Sequence, residues 1–184
     1  YRRQRQMCIR DRAVTPDNST ALLVVVDAQL IFAHAADPDG RCVGYIARHI
    51  DRGGYGLVKY TRFVNRPDSL PATQLGYDKA MPGHPGTELV PAIARRANHT
   101  LDHAGYGPNP RDVDELVQHV RERGINHAVV MGFDTDACVL ATAFALWDRG
   151  LATTIDERGC ASSAGQDMHH AALRIARRSL QVAE

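Results

Sequence analysis

The run Ala21-Leu22-Leu23-Val24-Val25-Val26, closed by Asp27, narrows the folds open to this chain more than any other feature. Six consecutive apolar residues, the last three β-branched, suit a strand covered on both faces, as in the centre of a parallel sheet. Similar short runs return at Leu57 to Phe63, Ala128 to Met131 and Ala152 to Ile155, with a shorter one at His99 to Leu101. Helical patterns separate them. From about Arg41 to Arg52, Val43, Ile46, Ala47 and Ile50 recur at helical spacing before Gly53-Gly54. Pro110 opens a stripe of Val113, Leu116, Val117 and Val120 that stops at Gly124. Further helices are expected over Thr87 to Ala97, from about Asp136 to Asp148, and from about Gln166 to Leu180. Residues 64–86, with Pro67, Pro71, Pro82 and Pro85, read as a long loop or lid. Strand alternating with helix predicts an α/β fold, a three-layer α/β/α sandwich with a mainly parallel, Rossmann-like sheet. In such folds the chemistry lies beyond the carboxyl ends of the strands.

Composition removes several classes. The chain has 184 residues, 44% of them hydrophobic, with 22 Lys+Arg against 21 Asp+Glu. A balance so close to neutral argues against a nucleic-acid partner or a polybasic membrane protein, and no apolar run approaches the roughly 20 residues that span a bilayer. Residues 1–12, YRRQRQMCIRDR, hold five of the arginines. From Arg2 to Arg12 they match the peptide encoded, in one frame, by a common DNA-sequencing adapter, so they are expected to be an adapter-derived artefact, with 13–184 forming one domain. Without them the balance is 17 against 20, a mildly acidic protein. Cys42, Cys138 and Cys160 remain, unevenly spaced and without a CxxC pair, which suits a reducing cytoplasm better than a disulfide framework or a zinc site.

Two strand ends carry candidate chemistry. Asp27 ends the first apolar run; by itself such a carboxylate is more often a helix N-cap than a catalytic base. The run at 128–131 leads into Gly132-Phe133-Asp134-Thr135-Asp136-Ala137-Cys138-Val139, which puts Cys138 in the first turn of a helix directly after a strand. There the helix dipole and free amides are expected to lower a thiol pKa, the same amides can hold an oxyanion, and a nearby carboxylate can manage the proton. Cys42 and Cys160 lack that setting and read as buried small hydrophobes.

The stretch GFDTDACVLATAFALWDRG (132–150) resembles the nucleophile segment of the isochorismatase-like cysteine hydrolases, and LLVVVDAQ (22–29) resembles their opening Asp-x-Gln segment. TRFVN (61–65), HAGYG (103–107) and CASSAG (160–165) follow in the family's order, so the similarity runs from 21 to 180. The resemblance implies a sheet of about six strands and a triad of Asp, Lys and Cys, with Cys138 as nucleophile and Asp27 as base. It further implies a cis peptide at Phe133-Asp134, backbone amides of Asp134 and Cys138 as the oxyanion hole, and Phe133, Thr135 and Asp136 as support of that loop. A homo-oligomer comes into view through the resemblance as well.

The chain departs from the family in two places. His103 stands where the family's Lys is expected, and neither of the chain's two lysines, Lys59 and Lys79, fits the motif. A His beside a carboxylate can have a raised pKa and stay protonated, so His103 is the third candidate catalytic residue. Nicotinamidase-like members carry Asp-x-His and a further His after the second strand, whereas this chain reads Arg62-Phe63-Val64-Asn65-Arg66-Pro67-Asp68. His84 is isolated and His169-His170 are adjacent, so neither a metal nor another cofactor is expected. Gln29, Phe32, Arg62, Asn65 and Tyr106 are candidate pocket residues, with Arg62, Asn65 and Arg66, read as following a strand end, as ligands for an anionic or carboxylate-bearing substrate.

Two readings follow. One is a cysteine hydrolase acting on a small amide or related molecule. The other is a catalytically impaired family member that binds a small molecule or serves as a scaffold because the Lys is gone. A dinucleotide-binding domain is remote, since no GxGxxG follows the first strand.

Overall fold

The computed structural model describes residues 20–184, so the adapter-like segment lies outside the described residues. All six strands are parallel and lie in the order β3-β2-β1-β4-β5-β6: β1 Ala21–Val26, β2 Leu57–Phe63, β3 Thr100–His103, β4 His127–Gly132, β5 Ala152–Cys160 and β6 Gln181–Ala183. The chain builds outward from β1 through β2 to β3, then returns to lay β4, β5 and β6 on the other side. The reversal of direction falls between β1 and β4, and open α/β sheets place their ligand crevice at such a point.

β1 is buried along its whole length because both of its faces are covered. Leu22, Val24 and Val26 face a core with α5 (Pro110–Glu122), α6 (Leu140–Trp147) and α7 (Gln166–Ser179). Leu23 and Val25 face the other core, with α1 (Leu30–Ala36), α2 (Arg41–Arg52) and α4 (Pro91–Ala94). The period-2 alternation of a strand thus divides one apolar run between two helical layers. In α5 the expected stripe Val113, Leu116, Val117 and Val120 is buried as a unit.

Several elements differ from the sequence-based expectation. α1 follows Asp27 almost at once and has too few polar residues to show a helical period. The 64–86 segment contains α3 (Leu70–Leu75), capped by the Ser69 hydroxyl, which accepts from the Ala72 amide at 3.2 Å. The helix expected over 87–97 is only the single turn α4, and β6 adds an edge strand too short to show in the sequence. β5 runs on past Ile155 through Asp156, Glu157 and Arg158 to Cys160, because a polar stretch at the sheet's carboxyl end is bonded there to β4 and β6.

One backbone position admits only glycine. Gly132 has φ +134, and a Cβ on it would stand 1.9 Å from the Val26 carbonyl oxygen. This close approach of β4 to β1 joins the strand end that carries Asp27 to the start of the Cys138 loop.

Candidate active site

Asp27 emerges from β1 with φ +45, an uncommon conformation for a residue with a side chain, and is completely buried. The helix-cap role is not realised. Gln29 occupies the N-cap position of α1, while the Asp27 carboxylate turns into the site. Asp27 Oδ1 accepts the Thr61 hydroxyl at 2.6 Å and lies 3.0 Å from His103 Nε2. Its Oδ2 is buried without a hydrogen-bond partner.

His103, the last residue of β3, is 3% exposed. Its Nδ1 lies 2.8 Å from the Gly105 carbonyl oxygen, which can only accept, so that nitrogen carries a proton. With Nε2 on the Asp27 carboxylate, both ring nitrogens face acceptors, an arrangement that favours the imidazolium. Burial works against the charge. Asp27, the Gly105 carbonyl and Asp102 outweigh it, and the His103 pKa is raised above the ordinary 6.5.

Cys138 lies in a π-helical turn, Thr135–Val139, that leads into α6. Such turns are frequent at functional sites. The Asp134 carbonyl accepts from the amides on either side of the cysteine, those of Ala137 and Val139, at 3.1 Å each. The thiol is 7% exposed and interacts with the Asp27 carboxylate and the Asp134 backbone amide. The expectation of a lowered pKa is corrected here: burial, and next the Asp27 charge, push the thiol well above its ordinary value. At rest Cys138 is a neutral thiol facing a carboxylate. The Phe133-Asp134 peptide is cis, as the resemblance implied.

The nucleophile loop is tied to the segment 160–165 and to α7. Thr135 donates its amide to the Ala161 carbonyl at 3.1 Å, and its hydroxyl meets His169 Nδ1 at 2.8 Å. Asp136 accepts the Ser162 hydroxyl at 2.5 Å. Asp134 accepts both the Ser163 amide at 2.7 Å and its hydroxyl at 2.6 Å. Phe133 is fully buried beneath them. The Asp134–Ser163 clamp and the contact with His169 carry no signal in the sequence, since polar residues of a connecting segment look alike until the fold pairs them.

Three of the five pocket candidates are corrected. Gln29 uses its whole amide on backbone: Oε1 accepts from Phe63 N at 2.8 Å, while Nε2 donates to Phe63 O at 2.9 Å and Thr87 O at 2.7 Å. Asn65 donates to the carbonyls of Tyr77 and Lys79 at 2.6 and 3.1 Å and accepts from Arg66 N and Ser69 Oγ. Arg62 is not beyond the strand but within β2, where its parallel register partner is Asp102; the two form a bidentate pair at 3.0 and 2.7 Å. Phe32 packs on Phe63 at 6.3 Å between ring centroids, and Tyr106 is 58% exposed on the loop whose Gly105 carbonyl holds His103. Tyr77, which sequence reasoning missed, packs beside these residues. Its ring meets Phe63 edge-on at 6.1 Å, Phe63 meets His103 likewise at 5.9 Å, and burial, with the nearby Asp134 carboxylate, pushes the Tyr77 hydroxyl pKa up.

Replacing Gln29 by Leu strands Phe63 N and the Phe63 and Thr87 carbonyls inside the protein. A loss of about 2–4 kcal/mol in unfolding free energy is expected, read by urea denaturation.

After β2, Asn65 is consumed by backbone, Asp68 pairs with Arg66, and the described residues include no group of three or more His, Cys, Asp or Glu that could hold a metal ion. Likewise none of the described helices is long and apolar enough to cross a membrane.

Solved structures with the same fold include an isochorismatase-like hydrolase from Alkaliphilus metalliredigens, 17% identical with TM-score 0.75, covering 89% of this chain and 94% of the other. The N-carbamoylsarcosine amidase from Thermoplasma acidophilum is 26% identical with TM-score 0.70 over 90% of this chain and 96% of its own. The nicotinamidase from Staphylococcus aureus is 23% identical with TM-score 0.67 over 90% and 98%. A search among curated proteins returns no match. The isochorismatase domain model matches residues 21–183, all six strands and every residue of the site just described, and the chain therefore belongs to the isochorismatase family.

Proposed function

We propose that the protein is a cysteine-dependent hydrolase of a small amide or a related small molecule, with Cys138 as nucleophile, Asp27 as general base and His103, protonated, supplying the positive charge that a Lys gives in the family pattern. The observation that carries this reading is the completely buried Asp27–His103 pair at 3.0 Å, with the Cys138 thiol against the same carboxylate.

Asp27 takes the thiol proton as the sulfur attacks the substrate carbonyl carbon. The proton moves between two groups of the same site, so net charge is conserved, and the adjacent imidazolium offsets the negative charge that passes to sulfur and then to the carbonyl oxygen. The amides of Asp134 and Cys138 are the donors for that oxygen. Collapse of the tetrahedral species breaks the C–N bond, and the amine leaves with the proton held by Asp27. Water, deprotonated by Asp27, then clears the acyl thioester and regenerates the thiol. The reading calls on no cofactor, suits a reducing cytoplasm that keeps Cys138 as a thiol, and gives Phe63 and Tyr77 the task of walling the acyl group.

The test is covalent labelling. A panel of small amides and a thiol-directed probe are incubated with the protein near neutral pH, and adducts are located by mass spectrometry. All three described cysteines are buried and have raised pKa values, so burial does not distinguish them. Only Cys138 has a carboxylate poised to take its proton, and adducts are expected there first. Labelling of Cys138 no faster than Cys42 or Cys160, without turnover of any amide, would overturn the hydrolase and favour a binding or scaffold role.

A further inference from the structure

Three arginines without a catalytic task converge on one groove at the N-terminal end of α2. The groove has a volume of about 450 Å³ and is lined by Asp39, Gly40, Arg41, Tyr45, Arg48 and Arg158. Arg41, Tyr45 and Arg48 share one face of α2 at spacings of four and three residues, and Arg158 reaches across from β5.

The groove is held in shape from beneath by Asp156, which is 7% exposed. Its Oδ2 accepts the Tyr45 hydroxyl at 3.0 Å and its Oδ1 accepts the Arg158 amide at 3.1 Å, fixing both residues. The Arg158 guanidinium then lies 4.7 Å over the Tyr45 ring, which occupies its face and leaves its N–H edge for a ligand. Arg48 folds back along α2 toward the groove: its guanidinium nitrogen comes within 3.2 Å of where a Cβ on Gly44 would sit.

The carboxylates near these arginines keep their charge but are held away from the guanidinium groups of Arg48 and Arg158. Asp156 accepts from the Tyr45 hydroxyl and the Arg158 backbone amide, not from a guanidinium. Asp37 spends both of its oxygens on the amides of Cys42 and Val43, at 3.0 and 2.8 Å. Asp39 stands 3.7 Å from Arg41 with both side chains mostly in solvent. Arg48 and Arg158 form no ion pair among the described residues, whereas Arg62, Arg96, Arg149 and Arg177 are each matched to a carboxylate.

We infer that this groove is an anion site separate from the Cys138 site, and that it takes the phosphate of a small phosphorylated molecule. Arg48 and Arg158 have guanidinium groups that no carboxylate pairs with among the described residues, and such planar forks match the oxygens of a phosphoryl group.

Inorganic pyrophosphate is the probe, titrated calorimetrically into the full chain at physiological ionic strength. Saturable binding at one site is expected, weakened at least tenfold by Arg48→Glu and by Arg158→Glu and unaltered by Arg174→Glu on the exposed face of α7. Unchanged thermal unfolding of these variants excludes misfolding as the cause, and Arg48→Lys, with its charge kept and its fork lost, retains part of the affinity. No saturable binding overturns the inference, as does wild-type affinity in the Arg48→Glu/Arg158→Glu double variant. Binding confined to anionic phospholipid vesicles or to an acidic peptide, with none to pyrophosphate, overturns the assignment to a small phosphorylated ligand.

Discussion

Cys138→Ala removes hydrolysis of any amide that the protein turns over, with kcat/KM falling by at least about a thousandfold. Substrate binding is expected to survive, because the packing of Phe63, Tyr77 and His103, proposed to wall the acyl group, does not depend on the sulfur. Asp27→Asn is expected to fall as far by a different route. The asparagine side chain can still accept the Thr61 hydroxyl that now bonds Asp27 at 2.6 Å, yet it cannot take a proton from the thiol. Since burial holds the Cys138 pKa well above its ordinary value, hardly any thiolate exists without that base. The two losses therefore do not add: the double variant resembles either single one, as expected for groups that act as a unit. Steady-state kinetics of the three variants, with substrate affinity measured directly, checks the prediction. A Cys138→Ala protein that retains more than a tenth of the activity would place the chemistry elsewhere.

The strand ends proposed to carry this chemistry are legible because burial and topology speak through the sequence. A run such as Leu22 to Val26 has one stable use, and the rule that ligands gather beyond the carboxyl ends of parallel strands singles out Asp27, His103 and the Cys138 loop. What was not legible is which partner each polar side chain finds. Gln29, Asn65 and Arg62 have the chemistry of substrate ligands, but the fold brings backbone carbonyls, or a carboxylate one strand away, within reach of each before any substrate arrives. Tyr77 illustrates the converse. Its place against Phe63 depends on the path of residues 64–86, which is set by Asn65 holding the carbonyls of Tyr77 and Lys79, a tertiary contact without periodicity to betray it. The thiol pKa failed for a related reason: a helix N-terminus and a carboxylate act oppositely on a thiolate, and only their distances and burial decide between them.

The second large effect is electrostatic and belongs to His103. His103→Ala leaves the Asp27 carboxylate buried without its cation, and kcat/KM is expected to fall by about a hundredfold or more, the scale on which preorganised charge acts in a dry site. The wild-type pH profile carries the same dependence. Because the folded pKa of His103 is raised, the imidazolium predominates at the ordinary value of 6.5 and is lost as pH climbs through the higher folded value. Activity therefore declines on the alkaline side of that window, and the pair's contribution to stability declines with it. In His103→Lys the cation persists toward the ordinary lysine value of about 10.4, so the alkaline limb moves upward while activity near neutrality is kept or raised. His103→Gln, which can still hydrogen-bond but carries no charge at any pH, loses the limb altogether and stays low throughout. A wild-type profile with no decline on the alkaline side of the ordinary histidine value of 6.5, combined with a His103→Gln protein within twofold of wild type, would show that the chemistry proceeds without a cation beside Asp27. The limb, its displacement by Lys and its absence in Gln separate a charge that works in the reaction from a ring that merely fills space between Asp27 and the Gly105 carbonyl.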